Sequence, residues 1–292
     1  MEILEHYPLK DLTTFRTGGT ARYFASPKTE EEVLEFIAFA KKSCLPFVVL
    51  GGGSNVLVAD GELEACVVSS KSLNEIKLVA QGQDEITISV GAGVTTKRLL
   101  AFCLENSLTG AEFLTGIPGT LGGAFWGNAG AQGQSLEGIF SSACVVTSEN
   151  RIVTVSKSEL KFEYRNLTWN SLPLCVLSLV LTLKKATMDE IRKNIAYFAS
   201  CKKGQPIGAR TAGCVFKNPG DGLSSGRLID QMGGKELSCG GAIVSPCHAN
   251  FIENKNEATS SDIYNLSELI RQKIKEKFGI NLEYEIKFIG RP

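Results

Sequence analysis

Histidine is nearly missing from this chain: His6 and His248 stand at opposite ends of its 292 residues. A histidine-rich metal site is thereby excluded, and no metal is expected. The nine cysteines are odd in number and show no C-x-x-C spacing, so neither a zinc cluster nor a disulfide framework is expected. Most of them read as small buried hydrophobes of a protein kept in the reducing cytoplasm. Net charge is missing too. Lysine plus arginine and aspartate plus glutamate number 31 each, without the basic excess that points to nucleic acid. No apolar run approaches the ~20 residues of a spanning helix: the longest, Leu174–Leu183, carries Ser178 and Thr182. Residues 1–15 have no signal-peptide centre, so no membrane partner is expected.

Two nucleotide signatures are also absent. No G-x-x-x-x-G-K-[ST] occurs, and Gly51-Gly52-Gly53-Ser54-Asn55 is succeeded by Val56 where a Rossmann fingerprint needs glycine. Val56-Leu57-Val58 is extended in character, so Pro46–Val58 reads as strand, turn and strand. A phosphate-binding loop or a wide hairpin turn would both suit that pattern. The stretch around which the chain is organised is Gly116–Gly133, G-I-P-G-T-L-G-G-A-F-W-G-N-A-G-A-Q-G. Seven of its eighteen residues are glycine and none is charged. Each glycine costs roughly 0.5–1 kcal/mol against alanine in a helix or strand, so no regular element is expected there. Its N–H groups can line a nest for anionic oxygens such as a pyrophosphate; a glycine-rich surface turn is the plain alternative.

The rest reads as mixed α and β. Thr29 and Glu32 form a capping box for a helix over Thr29–Ser43, and Thr187 and Glu190 for one over Thr187–Lys202. The second comes after Lys184-Lys185 and is a candidate connection between domains. Glu85–Val90 and Leu174–Leu183 read as strands, Thr95–Asn106 as a helix, and Ala143–Thr147 with Arg151–Val155 as a hairpin. Ser158–Arg165 is a short element ending on arginine, and Gly204–Asp221 a polar loop holding Cys214. A helix over Ser261–Phe278 presents Ile263, Leu266, Ile270, Ile274 and Phe278 on one face and stops at Gly279. A closing strand, Leu282–Ile289, puts Leu282, Tyr284, Ile286 and Phe288 on the core side and Glu283, Glu285 and Lys287 on the other.

Six stretches in this order carry a resemblance: T-F-R-T-G-G at 14–19, L-G-G-G-S-N at 50–55, the glycine-rich 116–133, F-E-Y-R at 162–165, G-C-V-F-K-N-P at 213–219, and the closing L-E-Y-E-I-K-F-I-G. Together they resemble the UDP-N-acetylenolpyruvoylglucosamine reductase family, in its shorter subtype, over nearly the whole chain. The resemblance implies an α+β protein with a two-part FAD-binding domain of the vanillyl-alcohol-oxidase-like type and a C-terminal α+β substrate domain. Their implied bounds are 1–72, 73–186 and 187–292. It implies FAD held non-covalently by Gly51, Gly52, Gly53, Ser54, Asn55, Pro118, Gly119, Thr120, Gly122, Gly123 and Asn128.

The implied reaction uses NADPH as hydride donor and UDP-N-acetylglucosamine enolpyruvate as substrate, and makes UDP-N-acetylmuramate for peptidoglycan. Hydride goes to C3 and a proton to C2. The resemblance gives Arg165 and Glu285 the developing carboxylate and enolate charge, where preorganised electrostatics acts most strongly. It gives Cys214 the proton, at a position where most members have serine. A thiol, with an ordinary pKa near ~8.5, is mostly protonated at neutral pH and keeps that role. Tyr164, Lys217 and Asn218 are the implied substrate contacts. No protein partner is implied. An FAD-dependent oxidase or dehydrogenase of small alcohols or sugars is the competing function, and a nucleotide-binding regulator without chemistry a more distant one.

Overall fold

The apolar run of the middle third is the strand on which most of the fold is built. In the computed structural model, which describes residues 1–169, 174–220 and 222–291, it forms Cys175–Lys185. Asp221, at the end of the polar loop, and Pro292 lie outside the described residues. The chain divides into two compact units. Unit 1 holds Met1–Leu4, Tyr23–Gly52 and Ala65–Lys203, and unit 2 holds Glu5–Arg22, Gly53–Glu64 and Gly204–Pro292. Helix and strand are mixed in both, as the α+β reading expects.

In unit 1, Cys175–Lys185 lies at the middle of an antiparallel sheet. The order is Ile152–Ser156, Phe140–Val146, Cys175–Lys185, Glu85–Gly91, Ile76–Gln81, with Leu108–Thr109 pairing at the far end of the central strand. The register, Ser178↔Gly91 through Lys184↔Glu85, places Leu179, Leu181, Leu183, Ile88 and Val90 in one core with Leu99 and Phe125. Each such side chain contributes roughly 1.5–3 kcal/mol on burial. The expected hairpin is present, with Val146 opposite Ile152 and Asn150 at φ 63° in the turn. A parallel pair, Phe47–Leu50 against Cys66–Ser69, packs Phe47 and Val49 with Val146 and Cys175.

The helices follow their local signals. Glu30–Lys42 starts at Thr29, whose hydroxyl accepts from Glu32 N–H, but the box is half made: the Glu32 carboxylate takes the N–H of Lys28 instead. Its Val33 and Ile37 pack with Leu73 and Leu177, while Phe36 and Ala40 pack with Cys66 and Val68. Thr96–Glu105 is capped by Thr95. Met188–Ser200 has both halves of its Thr187/Glu190 box and buries Ile191 and Phe198. It packs against Glu112–Leu114 and Thr96–Glu105 within unit 1.

The glycine-rich stretch corrects the sequence reading. A short helix, Leu121–Trp126, runs through L-G-G-A-F-W, where no regular element was expected. The glycine cost is offset by close approach to a neighbouring backbone. Gly122 N–H donates to Ala92 O at 2.8 Å, and a Cβ at Gly122 would sit 3.0 Å from that of Ala92. Glycine here permits contact with the sheet.

In unit 2 the helix Ser260–Phe278 closes its N-terminus with Thr259 and Asp262 and its C-terminus with Gly279 at φ 72°. Ile263, Leu266, Ile270 and Ile274 pack with Phe15, Leu57, Val215, Phe216, Leu282 and Ile286. The closing strand is shorter than expected. Only Lys287–Ile289 is regular, parallel to Val56–Val58. Residues 283–285 turn their peptides to another partner, with Lys217 N–H donating to Glu283 O and Glu285 N–H to Val215 O, both at 2.8 Å. The alternation survives: Leu282 and Ile286 are each 1% exposed.

Candidate active site

Two glycine loops meet in unit 1. A Cβ at Gly51 would lie 2.5 Å from Thr120 Oγ1, and one at Gly52 would lie 2.6 Å from Gly119 Cα. These glycines let loop 50–52 and loop 118–123 come into direct contact, a loop-to-loop approach that neither the ligand-site reading nor the turn reading of the sequence names. Gly119, at φ 123°, needs a conformation that L side chains avoid. The loop is anchored from the helix Thr96–Glu105: Thr96 N–H donates to Gly119 O at 3.1 Å and Thr96 Oγ1 to Ile117 O at 2.6 Å. Within this cradle, Thr120 Oγ1 is buried and has no hydrogen-bond partner among the described residues. A buried hydroxyl left unpaired costs free energy, so a polar ligand atom here satisfies it. Uncharged, glycine-lined and holding one unmet hydroxyl, the cradle fits FAD. Gly123 is exposed beside it, and Pro118 is exposed at its rim.

Asn128 follows on the same glycine-rich stretch. It is 7% exposed; its Nδ2 donates to Glu163 O at 3.2 Å and its Oδ1 accepts from Glu137 N–H at 3.3 Å. The carboxamide thus ties the glycine-rich stretch to the hairpin Leu160–Glu163/Asn166–Trp169. Arg165 is in that hairpin's turn, at φ 55°, not at the end of a simple element. Its guanidinium donates to Gly130 O at 3.1 Å and lies 5.5 Å from the Tyr164 ring centre. Tyr164 is 57% exposed, free to meet a ligand. Lys202 lays its stem against Gly116, where a Cβ would come within 2.9 Å of its Cδ.

Unit 2 brings the other residues together. Segment 214–217 lies between the turn at 248–251 and the closing strand, bridged Cys214↔Phe251 on one side and Phe216↔Tyr284 on the other. Cys214 and Glu285 are both half-buried, and Glu285 N–H bonds to the residue after Cys214. Asn55 belongs to the same place: its Nδ2 donates to Glu285 O at 3.1 Å and its O accepts from Lys287 N–H at 2.9 Å. Gly53 is fixed by Thr14, whose N–H and Oγ1 both donate to Gly53 O, at 3.0 and 3.2 Å. That is what the first residue of the T-F-R-T-G-G motif does in the structure. Its Arg16 pairs with Asp11 at 3.0 Å. Lys217 pairs with Glu283 at 3.5 Å, and Asn218 Oδ1 accepts from Ser225 N–H at 3.1 Å at the start of the helix Ser225–Gln231.

The FAD binding domain model matches residues 21–156, and the C-terminal domain model of UDP-N-acetylenolpyruvoylglucosamine reductase matches residues 205–289. A Caldanaerobacter subterraneus subsp. tengcongensis protein of that name is 37% identical over 284 residues, covering 97% of this chain and 92% of the relative. One from Orientia tsutsugamushi is 38% identical over 293 residues, covering 99% and 95%. The chain belongs to the UDP-N-acetylenolpyruvoylglucosamine reductase family. The crystal structure of the Thermus caldophilus reductase superposes with a TM-score of 0.81 at 32% identity, covering 98% of both chains. The family's FAD-binding part spans both the cradle at Gly51–Gly52 and the loop at Gly119–Gly123, and its C-terminal part spans Cys214 and Glu285.

Sequence reasoning missed Thr14 and Thr96, which hold the loops rather than line them, and Asn250, whose carboxamide bonds the Phe216 backbone. The T-F-R-T-G-G motif was a signal for Thr14. His248 is half-buried in the turn at 248–251. It lies against Gly226 and, edge to face, 4.8 Å from Phe251, and burial pushes its pKa below the ordinary value.

Proposed function

We propose that Arg165, Cys214 and Glu285 carry the chemistry of an FAD-dependent UDP-N-acetylenolpyruvoylglucosamine reductase. Membership of the family makes the chain this reductase, acting on UDP-N-acetylglucosamine enolpyruvate with NADPH in peptidoglycan synthesis. The observation that carries the residue assignment is the segment 214–217, hydrogen-bonded to the strand of Glu285.

FAD held in the cradle would supply the hydride chemistry that links NADPH to C3 of the enolpyruvyl group. The chain's own groups handle charge and the proton. Arg165, permanently cationic and forked, holds the carboxylate in two places. Its turn conformation and its bond to Gly130 O fix the direction of the fork. Glu285 hydrogen-bonds the enolate side. Cys214 Sγ–H gives its proton to C2 as general acid. Gly51, Gly52, Gly53, Ser54, Asn55, Pro118, Gly119, Thr120, Gly122 and Gly123 hold FAD without a covalent bond, with Thr120 Oγ1 donating to it. Asn128 joins them in the flavin site, its carboxamide braced by Glu163 O and Glu137 N–H. Tyr164, Lys217 and Asn218 contact the substrate, Lys217 exchanging Glu283 for a phosphate.

The division at about residues 72 and 186 into two flavin-binding parts and a substrate part belongs to the same proposal. So does a cytoplasmic location, which the nine thiols support. No helix among the described residues is long and apolar enough to cross a membrane. The test is NADPH consumption that depends on the enolpyruvyl nucleotide and yields UDP-N-acetylmuramate in equal amount. Oxygen uptake with a small alcohol or sugar, without NADPH, would favour the oxidase instead.

A further inference from the structure

We propose that Asn250 is a positioning residue for Cys214. The inference rests on the reading of Cys214 as proton donor. Asn250 is 3% exposed and Phe216 is 1% exposed. The Asn250 side chain takes both backbone groups of Phe216: Oδ1 accepts from Phe216 N–H at 3.0 Å, and Nδ2 donates to Phe216 O at 2.8 Å. Asn250 O also accepts from Val215 N–H at 2.8 Å. A carboxamide presents an N–H donor and a carbonyl acceptor side by side, as a peptide group does. It therefore supplies a rung of an antiparallel ladder that the backbone cannot, because the chain turns at this point, with Phe251 N–H bonded to His248 O at 2.9 Å.

The turn is itself held. Asn250 N–H donates to His248 Nδ1 at 3.3 Å, which requires that nitrogen unprotonated. On the far side, Val215 O accepts from Glu285 N–H. Residues 215 and 216, next to Cys214, are thus pinned from both sides, and the Asn250 carboxamide holds both backbone groups of Phe216. Gly213, at φ 80°, precedes Cys214 and turns the chain into the segment. Fixing it after the thiol is what sets the thiol's reach.

The test uses the FAD-loaded full chain with Asn250→Asp and Asn250→Leu. An ionised aspartate repels Phe216 O, whereas a protonated one donates to it as the amide does. Its pKa is raised by burial. At pH 8 flavin reduction by NADPH should stay within about twofold of wild type in Asn250→Asp, while re-oxidation by the enolpyruvyl nucleotide slows about 100-fold, the effect of a displacement on the order of 1 Å. Re-oxidation should then recover as pH falls. Asn250→Leu should stay slow at every pH. The titratable and charged groups around the site are His248 on the same turn, Cys214 and Lys217 on the bonded segment, and Glu283 and Glu285 on the strand, with Asp230 and Lys235 acting on the imidazole. All are present in wild type, whose pH profile is the reference. If Asn250→Asp does not accumulate folded, Asn250→Leu carries the test through the rate of Cys214 alkylation by iodoacetamide. That rate should change severalfold while the exposed Cys44, far from this turn in sequence, reacts as before. Wild-type re-oxidation in Asn250→Asp at pH 8, equal losses in both half-reactions without recovery at low pH, or an unchanged Cys214 alkylation rate would overturn the proposal. An inactive Cys214 would show instead as full turnover in Cys214→Ala and leave the alkylation result standing.

Discussion

Gly52→Ala examines the flavin cradle where its tolerance is smallest. The new methyl would lie 2.6 Å from Gly119 Cα and 3.1 Å from Gly119 C, whereas carbon atoms rest at about 3.5–4.0 Å. The loops must part by about 1 Å, and the loop 118–123 is anchored: Gly119 O by Thr96, Gly122 and Leu121 by Ala92 and Val94. Overpacking of this kind costs roughly 1–3 kcal/mol. If that cost falls on the FAD-bound form, affinity weakens roughly 5- to 150-fold. Fluorescence titration of the apoprotein with FAD measures it, beside the thermal midpoint. Gly138→Ala is the control, since nothing lies within 4 Å of its added Cβ. Wild-type FAD affinity and midpoint in Gly52→Ala would refute the reasoning that the two loops form one cradle.

Cys214→Ala should bleach with NADPH at nearly the wild-type rate but turn over substrate 10²–10⁴-fold more slowly, as for a lost general acid; stopped-flow absorbance of each half-reaction checks it, and Cys214→Ser should retain substantial activity. Asp60 accepts from Ser260 and Ser261 N–H at 3.0 Å at the start of the helix Ser260–Phe278. Burial pushes its pKa up, but those bonds outweigh it and hold the carboxyl below its ordinary value. Its stabilisation is therefore full above the unfolded pKa near ~3.9 and is lost as pH falls through the lower folded value. Asp60→Ala should cost about 1 kcal/mol at pH 7, and the gap in denaturant midpoint should close below about pH 4.

What the sequence disclosed depended on how local the cause was. The helix Ser260–Phe278 was legible to within a residue because its cap, apolar face and Gly279 stop are contiguous. The helix Leu121–Trp126 was not, because what offsets its glycines is Ala92, far away in sequence. The closing strand showed its alternation but not its change of partner, since the acceptor, Val215 O, lies in a loop that no periodicity describes. Arg165, Cys214 and Glu285 came from motif resemblance; their burial and backbone setting came only from the fold. Asn250 was invisible for the same reason as Ala92: its importance is a contact with Phe216, thirty-odd positions earlier.

The most direct measurement is anaerobic absorbance of the purified, FAD-loaded protein through two additions. NADPH should bleach the flavin band near 450 nm, a general property of oxidised flavin, and the enolpyruvyl nucleotide should restore it with no oxygen present. A flavin that regains its colour only when air is admitted, or a protein that binds no FAD, would contradict the account.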